Sequence, residues 1–144
     1  MNKKGFTLIE LLVVIAIIGL LSTLAVVALG QARLKARDSK RLADLKQLQT
    51  ALELYYTDNN AYPDGSGLVL GEADTAQCLD STGFKDTCAA DAYMGQVPED
   101  PNTAAYHYTY TAASSSYAVA ATLEGATSGL DAGSITLSPA GIRN

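Results

Sequence analysis

Hydrophobic and polar positions divide the chain into three stretches with different rhythms. From Leu11 to Gly30, twenty residues pass without a charge. As an α-helix that run is about 30 Å long, which matches the hydrocarbon thickness of a bilayer. Ser22 and Thr23 are its polar interruptions, and both hydroxyls can bond to carbonyls of their own helix. From Gln31 onward the pattern becomes periodic. Leu34, Leu42, Leu45, Leu48, Leu52 and Tyr55 recur at spacings of three, four and eight, so one apolar stripe faces inward. No proline lies between Met1 and Tyr62, and the two stretches predict a single long helix. It should end at TDNNAYP, where Asn59 or Asn60 suits a left-handed cap and Pro63 cannot continue the helix.

Residues 64–100 show no sustained period and are rich in Gly, Asp and Thr, which predicts a long connection. Strand-like alternation follows. Tyr106, Tyr108 and Tyr110 alternate with His107 and Thr109; Tyr117, Val119, Ala121 and Leu123 form a second run; Ile135 and Leu137 form a third. Turns at Ala113–Ser116 and Gly125–Gly133 fit an antiparallel meander. The predicted fold is α+β: a long N-terminal helix packed on a small antiparallel sheet of about three strands. Residues 6–30 would be the membrane segment, 31–60 the amphipathic half of the same helix and 61–144 a globular head, with the connection at 64–100 and the sheet at 104–139.

Charge sharpens this division. Residues 31–53 carry six basic and three acidic side chains, whereas residues 54–144 carry two basic and eleven acidic. An acidic head with no basic patch argues against nucleic-acid binding as its main role. Cys78 and Cys88, with nine residues between them, fit neither a redox CxxC nor a zinc spacing. Behind a membrane segment that places the head outside the cytosol, they predict a disulfide. Catalytic signatures are missing: His107 reads as a surface residue, Ser114–Ser116 as a turn, and no cofactor motif is present. Asp64, Glu72, Asp74, Asp80 and Asp86 could contribute to a calcium site, but their spacing matches no EF-hand loop and a solvated acidic loop is the plainer reading.

Glu10 stands out because it lies inside the otherwise uncharged run from Phe6 to Gln31. A carboxylate in hydrocarbon costs roughly 2.5 kcal/mol or more. Either it reaches the interface or it has a partner. A removable secretory signal, with Lys3 and Lys4 as its basic end and Ala28-Leu29-Gly30 as its cleavage site, is the rival reading. Glu10 is out of place in such a signal, and the chain continues past Gly30 as helix.

The stretch KKGFTLIELLVVIAIIGLL closely resembles the type III signal of type IV pilins and type II secretion pseudopilins. Weaker similarity runs through YYTDNNAYP and PEDP to YAVAATLE. The resemblance implies that residues 1–5 are a leader, that a prepilin peptidase cuts between Gly5 and Phe6, and that the new amine on Phe6 is methylated. It also implies that Glu10 neutralises that amine on a neighbouring copy. The implied partners are further copies of the chain, the membrane, the peptidase and the pilus or secretion assembly machinery; no cofactor is implied.

Three features depart from the family pattern. Many pilins carry a proline two-thirds of the way through the apolar run, where this chain reads Leu24-Ala25-Val26-Val27 and offers only Gly19 and Gly30 as weak points. The cysteine pair precedes the sheet instead of following it. The five cations from Arg33 to Arg41 also oppose the rule that positive charge stays cytoplasmic, although a leader cut at Gly5 must itself face a cytoplasmic-side peptidase. The resulting expectation is a non-enzymatic subunit of a type IV pilus-like filament, held in the cytoplasmic membrane before assembly and part of a surface or periplasmic fibre afterwards. The alternatives are the major pseudopilin of a type II secretion system and, from another class, a membrane-anchored extracytoplasmic binding protein that never polymerises.

Overall fold

The structure is a computed structural model and describes residues 5–73 and 75–144. Lys3 and Lys4 of the leader, and Asp74 of the acidic group, lie outside the described residues. One helix, α1, runs from Leu8 to Asn59. The chain divides into two compact units, Met1–Leu34 and Lys35–Asn144. In the first, every described residue from Gly5 to Arg33 is exposed, including the whole apolar run. Leu, Ile and Val in that run lie open along the helix, each about half to four-fifths exposed.

In the second unit the periodic stripe finds its cover. Leu45, Leu48 and Leu52 are fully buried and Tyr55 nearly so, while Leu42 is half-buried. The helix stops where the asparagines predict. Asn60 has a φ of 52° and its N–H donates to the Tyr56 carbonyl, and Asn59 Nδ2 donates to the Tyr55 carbonyl, so the last turn is closed.

The fold is α+β, as the patterning indicates, but the sheet is larger than the expected three strands. Its strands are β1 (Leu68–Val69), β4 (Thr109–Ala113), β5 (Ser116–Leu123), β6 (Gly133–Ser138) and β7 (Gly141–Arg143), all antiparallel in the order β1-β4-β5-β6-β7. Between them, β2 (Cys78–Asp80) and β3 (Gly83–Lys85) form a separate hairpin. The row Tyr110, Val119 and Leu137 crosses three strands in register, and all three side chains are buried. Along β5, Tyr117, Val119, Ala121 and Leu123 face the core alternately, as a one-sided sheet requires.

The alternation at 106–110 is only partly strand: β4 begins at Thr109, and Tyr106 and His107 precede it. The 64–100 connection is not structureless, since it contributes β1 and the β2–β3 hairpin. The Asp80 carboxylate accepts from the N–H and Oγ1 of Thr82, closing the turn of that hairpin. Gly71, at a φ of 79°, lets the chain pass close to Glu99 and Pro98 where a Cβ would collide.

Cys78 and Cys88 are joined by a disulfide that closes the stretch after β2. On the chain-entropy account so short a loop stabilises the fold by about 2–3 kcal/mol. Replacing both cysteines by Ser should lower head stability by that amount in urea denaturation of micelle-held protein, while the helical circular-dichroism signal persists. An unchanged midpoint would show that the bridge contributes nothing.

Candidate functional site

Two clusters of polar side chains depart from an ordinary solvated surface, one in each unit. The first is at the start of α1. Thr7 directly precedes the helix and Glu10 occupies its third position. The Glu10 carboxylate accepts from the Thr7 N–H at 2.9 Å and from Thr7 Oγ1 at 2.6 Å, and Thr7 Oγ1 in turn accepts from the Glu10 N–H at 3.3 Å. This is a capping box, in which a T-x-x-E sequence satisfies helix-end donors reciprocally. The T-x-x-E pattern at 7–10 is the sequence signature of this cap, and Thr7 is the residue that makes it. Phe6 beside it is 82% exposed. Among the described residues, no atom lies within 4 Å of where a Cβ on Gly5 would sit.

The second cluster is built around Arg41, whose side chain is entirely buried. Its Nε and Nη2 donate to the two oxygens of Asp100 at 2.7 and 2.8 Å, a bidentate pair. Its Nη1 donates to Asp38 and to Glu124, each at 2.7 Å. The Tyr106 ring lies 5.2 Å from the guanidinium carbon, within cation–π range. Each carboxylate is held in turn. Asp38 accepts the backbone N–H groups of Glu124 and Gly125, Asp100 accepts that of Asn102, and Glu124 also takes Arg37. Three distant segments thereby meet on one helix face: the helix itself, the PEDP turn and the exit of β5.

Lys40 reaches Asp44 at 3.2 Å, but Arg41 does not pair with Asp44. Asp44 is buried and accepts the Tyr108 hydroxyl instead. The electrostatics follow from the geometry. The hydrogen bond from Arg37 holds the Glu124 carboxyl down to about 2 against the effect of burial, with Arg41 adding to it. Burial opposes the Arg41 charge, but its bonds to Asp100, Glu124 and Asp38 outweigh that and raise its pKa.

The remaining sequence candidates do not converge. Asp80 is committed to its turn and to Lys85 at 3.6 Å. Among the described residues, no three His, Cys, Asp or Glu side chains gather as a metal site would need. His107 is exposed. A groove of about 550 Å³ beside β7 is lined by Leu42, Lys46, Leu130 and Ile142 among others, with no histidine, cysteine or carboxylate in its lining.

Comparison with known proteins bears on both units. Residues 1–26 match the model of the prokaryotic N-terminal methylation motif, and residues 28–134 match that of type II secretion system protein G. The chain belongs to the type II secretion protein G family, within the wider pilin and pseudopilin class. The type II secretion system core protein G of Aeromonas hydrophila is 36% identical over 107 residues, covering 69% of this chain and 68% of that protein. The protein of the same name from Escherichia coli is 39% identical over 102 residues, covering 69% and 67%. A shorter match, 42% over 69 residues and covering 48% and 53%, is to the type IV wide pilus major component PilA4 of Thermus thermophilus. No solved structure gives a significant match.

Removing Arg41 would leave Asp38 and Asp100 buried without their cation, so Arg41→Leu should destabilise the head by about 3–5 kcal/mol. The acid dependence has a definite sign. Glu124 titrates lower when folded than its ordinary value, so its stabilisation is complete above about pH 5 and is lost as pH falls towards 2. In urea titrations followed by tyrosine near-ultraviolet dichroism, Glu124→Gln should be weaker than the parent at pH 7 and less acid-sensitive between pH 5 and 2. Parallel pH profiles would contradict this assignment.

Proposed function

We propose that the chain is a structural subunit of a type IV pilus-like filament, made as a single-pass membrane precursor with its head outside the cytosol. It assembles through residues 6–30 after a prepilin peptidase cuts between Gly5 and Phe6 and the Phe6 amine is methylated. The observation that carries this reading is the exposed face of α1. Every side chain from Phe6 to Gly30 lies open, and the run is long enough to cross a membrane. Such a surface has to be covered by lipid or by further copies of itself. The subunit is structural in this reading, as the named relatives are filament and secretion-system components.

Within that class a specific observation favours the major pseudopilin of a type II secretion system. The protein G model spans the head, whereas the pilus relative matches under half of the chain. Deleting the gene should then abolish export of folded exoproteins. Loss of surface fibres with export intact would instead point to a pilus.

Glu10 is the assembly residue in this account. In the single chain its carboxylate rests on Thr7; in the filament it meets the Phe6 amine of another copy. Either charge left alone in an apolar bundle is penalised. Glu10→Ala should therefore stay in the membrane and be processed, yet build few or no filaments, and Glu10→Asp should assemble in part. Intact mass should show a mature chain beginning at Phe6. It has lost Lys3 and Lys4, so its net charge is −7, from 8 basic and 15 acidic residues. Abundant filaments from Glu10→Ala, or filaments retaining Met1–Gly5, would refute the mechanism.

A further inference from the structure

The five cations between Arg33 and Arg41 fall into two sets. Arg37 is paired with Glu124, Lys40 with Asp44, and Arg41 with Asp38, Asp100 and Glu124. Arg33 and Lys35 are exposed, and among the described residues neither has a carboxylate within ion-pair distance. They are also the first charges after the apolar run. Arg33 and Lys35 lie three and five residues beyond Gly30 on α1, roughly 5 and 8 Å along its axis. A bilayer's polar region extends over about that distance outside its hydrocarbon. Two residues apart on a helix, the side chains leave it in nearly opposite directions, and their long apolar stems let the charged ends seek the interface.

We propose that Arg33 and Lys35 form a cationic collar that binds the phosphate groups of anionic phospholipids and sets the depth at which the subunit sits in the membrane. The collar rests on residues 6–30 spanning the bilayer, and it is the same whichever side the head occupies. Continuity with the apolar run is what points to lipid. The three cations that follow them on the helix, Arg37, Lys40 and Arg41, have carboxylates folded onto them, while the two at headgroup level have none. A further cation, Lys46, is also exposed and outside the ion pairs, but it lies sixteen residues past Gly30, beyond the reach of headgroups. It serves as the internal control.

The test is electron spin resonance of the full-length protein in nanodiscs of mixed phosphatidylglycerol and phosphatidylcholine, each spin-labelled in turn. The protein should immobilise phosphatidylglycerol in preference, by a factor of about five for each collar charge, and added salt should weaken the preference. The double variant Arg33→Gln, Lys35→Gln should lose it and Lys46→Gln should keep it. Both sets of changes fall on exposed helix positions, so folding is not at stake. Equal immobilisation of the two lipids by the parent, or a preference that survives the double variant, would overturn the proposal. So would a salt-sensitive cross-link from position 33 or 35 to the acidic head of a second copy in place of lipid selectivity. Absence of any immobilised lipid, whatever its headgroup, would refute the membrane span itself and the collar with it.

Discussion

An apolar helix surface that its own chain does not cover sets the terms for the rest of this molecule. From Phe6 to Leu29 the side chains are mostly large and aliphatic, and none is buried. In water such a surface carries a penalty of roughly 25 cal/mol for each Å² exposed. Lipid removes that penalty for a single subunit, and other copies of the same helix remove it for a filament. A contact between different faces of identical chains grows as a fibre when its rotation does not close into a ring. Glu10 fits this exchange. A capping box gives its carboxylate a partner in Thr7 within the single chain, and in the proposed filament an amine on another copy takes that place.

The head solves a different problem. About ninety residues bury a limited core, so packing alone defines the arrangement of long connections weakly. Arg41 supplies the missing definition. Its fully buried guanidinium binds carboxylates that lie 59 and 83 positions away and thereby holds the PEDP turn and the exit of β5 against the helix. A buried ion network adds little net stability compared with an apolar replacement, but losing one member costs several kcal/mol.

Much of this was legible in the sequence where local rules operate. The leucine stripe, the asparagine cap before Pro63 and the alternation along β5 each depend on residues a few positions apart, and each appears in the structure. The edge strands β1 and β7 were not legible, because two or three residues are too few to show a period. Tyr106 continued an apparent alternation although it lies outside β4. Its ring is used against Arg41 instead. The Arg41 cluster was invisible to pattern reading for a further reason: pairing across such separations leaves no local trace. Its two distant acids, Asp100 and Glu124, nevertheless sit in PEDP and at the end of YAVAATLE, two of the stretches that carry the family resemblance.

Electron cryomicroscopy of purified filaments tests the central claim most directly, which is that the apolar run passes from lipid to other copies of itself. The account predicts a central bundle formed by residues 6–30, with the Glu10 carboxylate of each subunit within hydrogen-bond distance of a Phe6 amine on another. Filaments held together by their heads, with these helices splayed into lipid or solvent and Glu10 still bonded to Thr7, would contradict it.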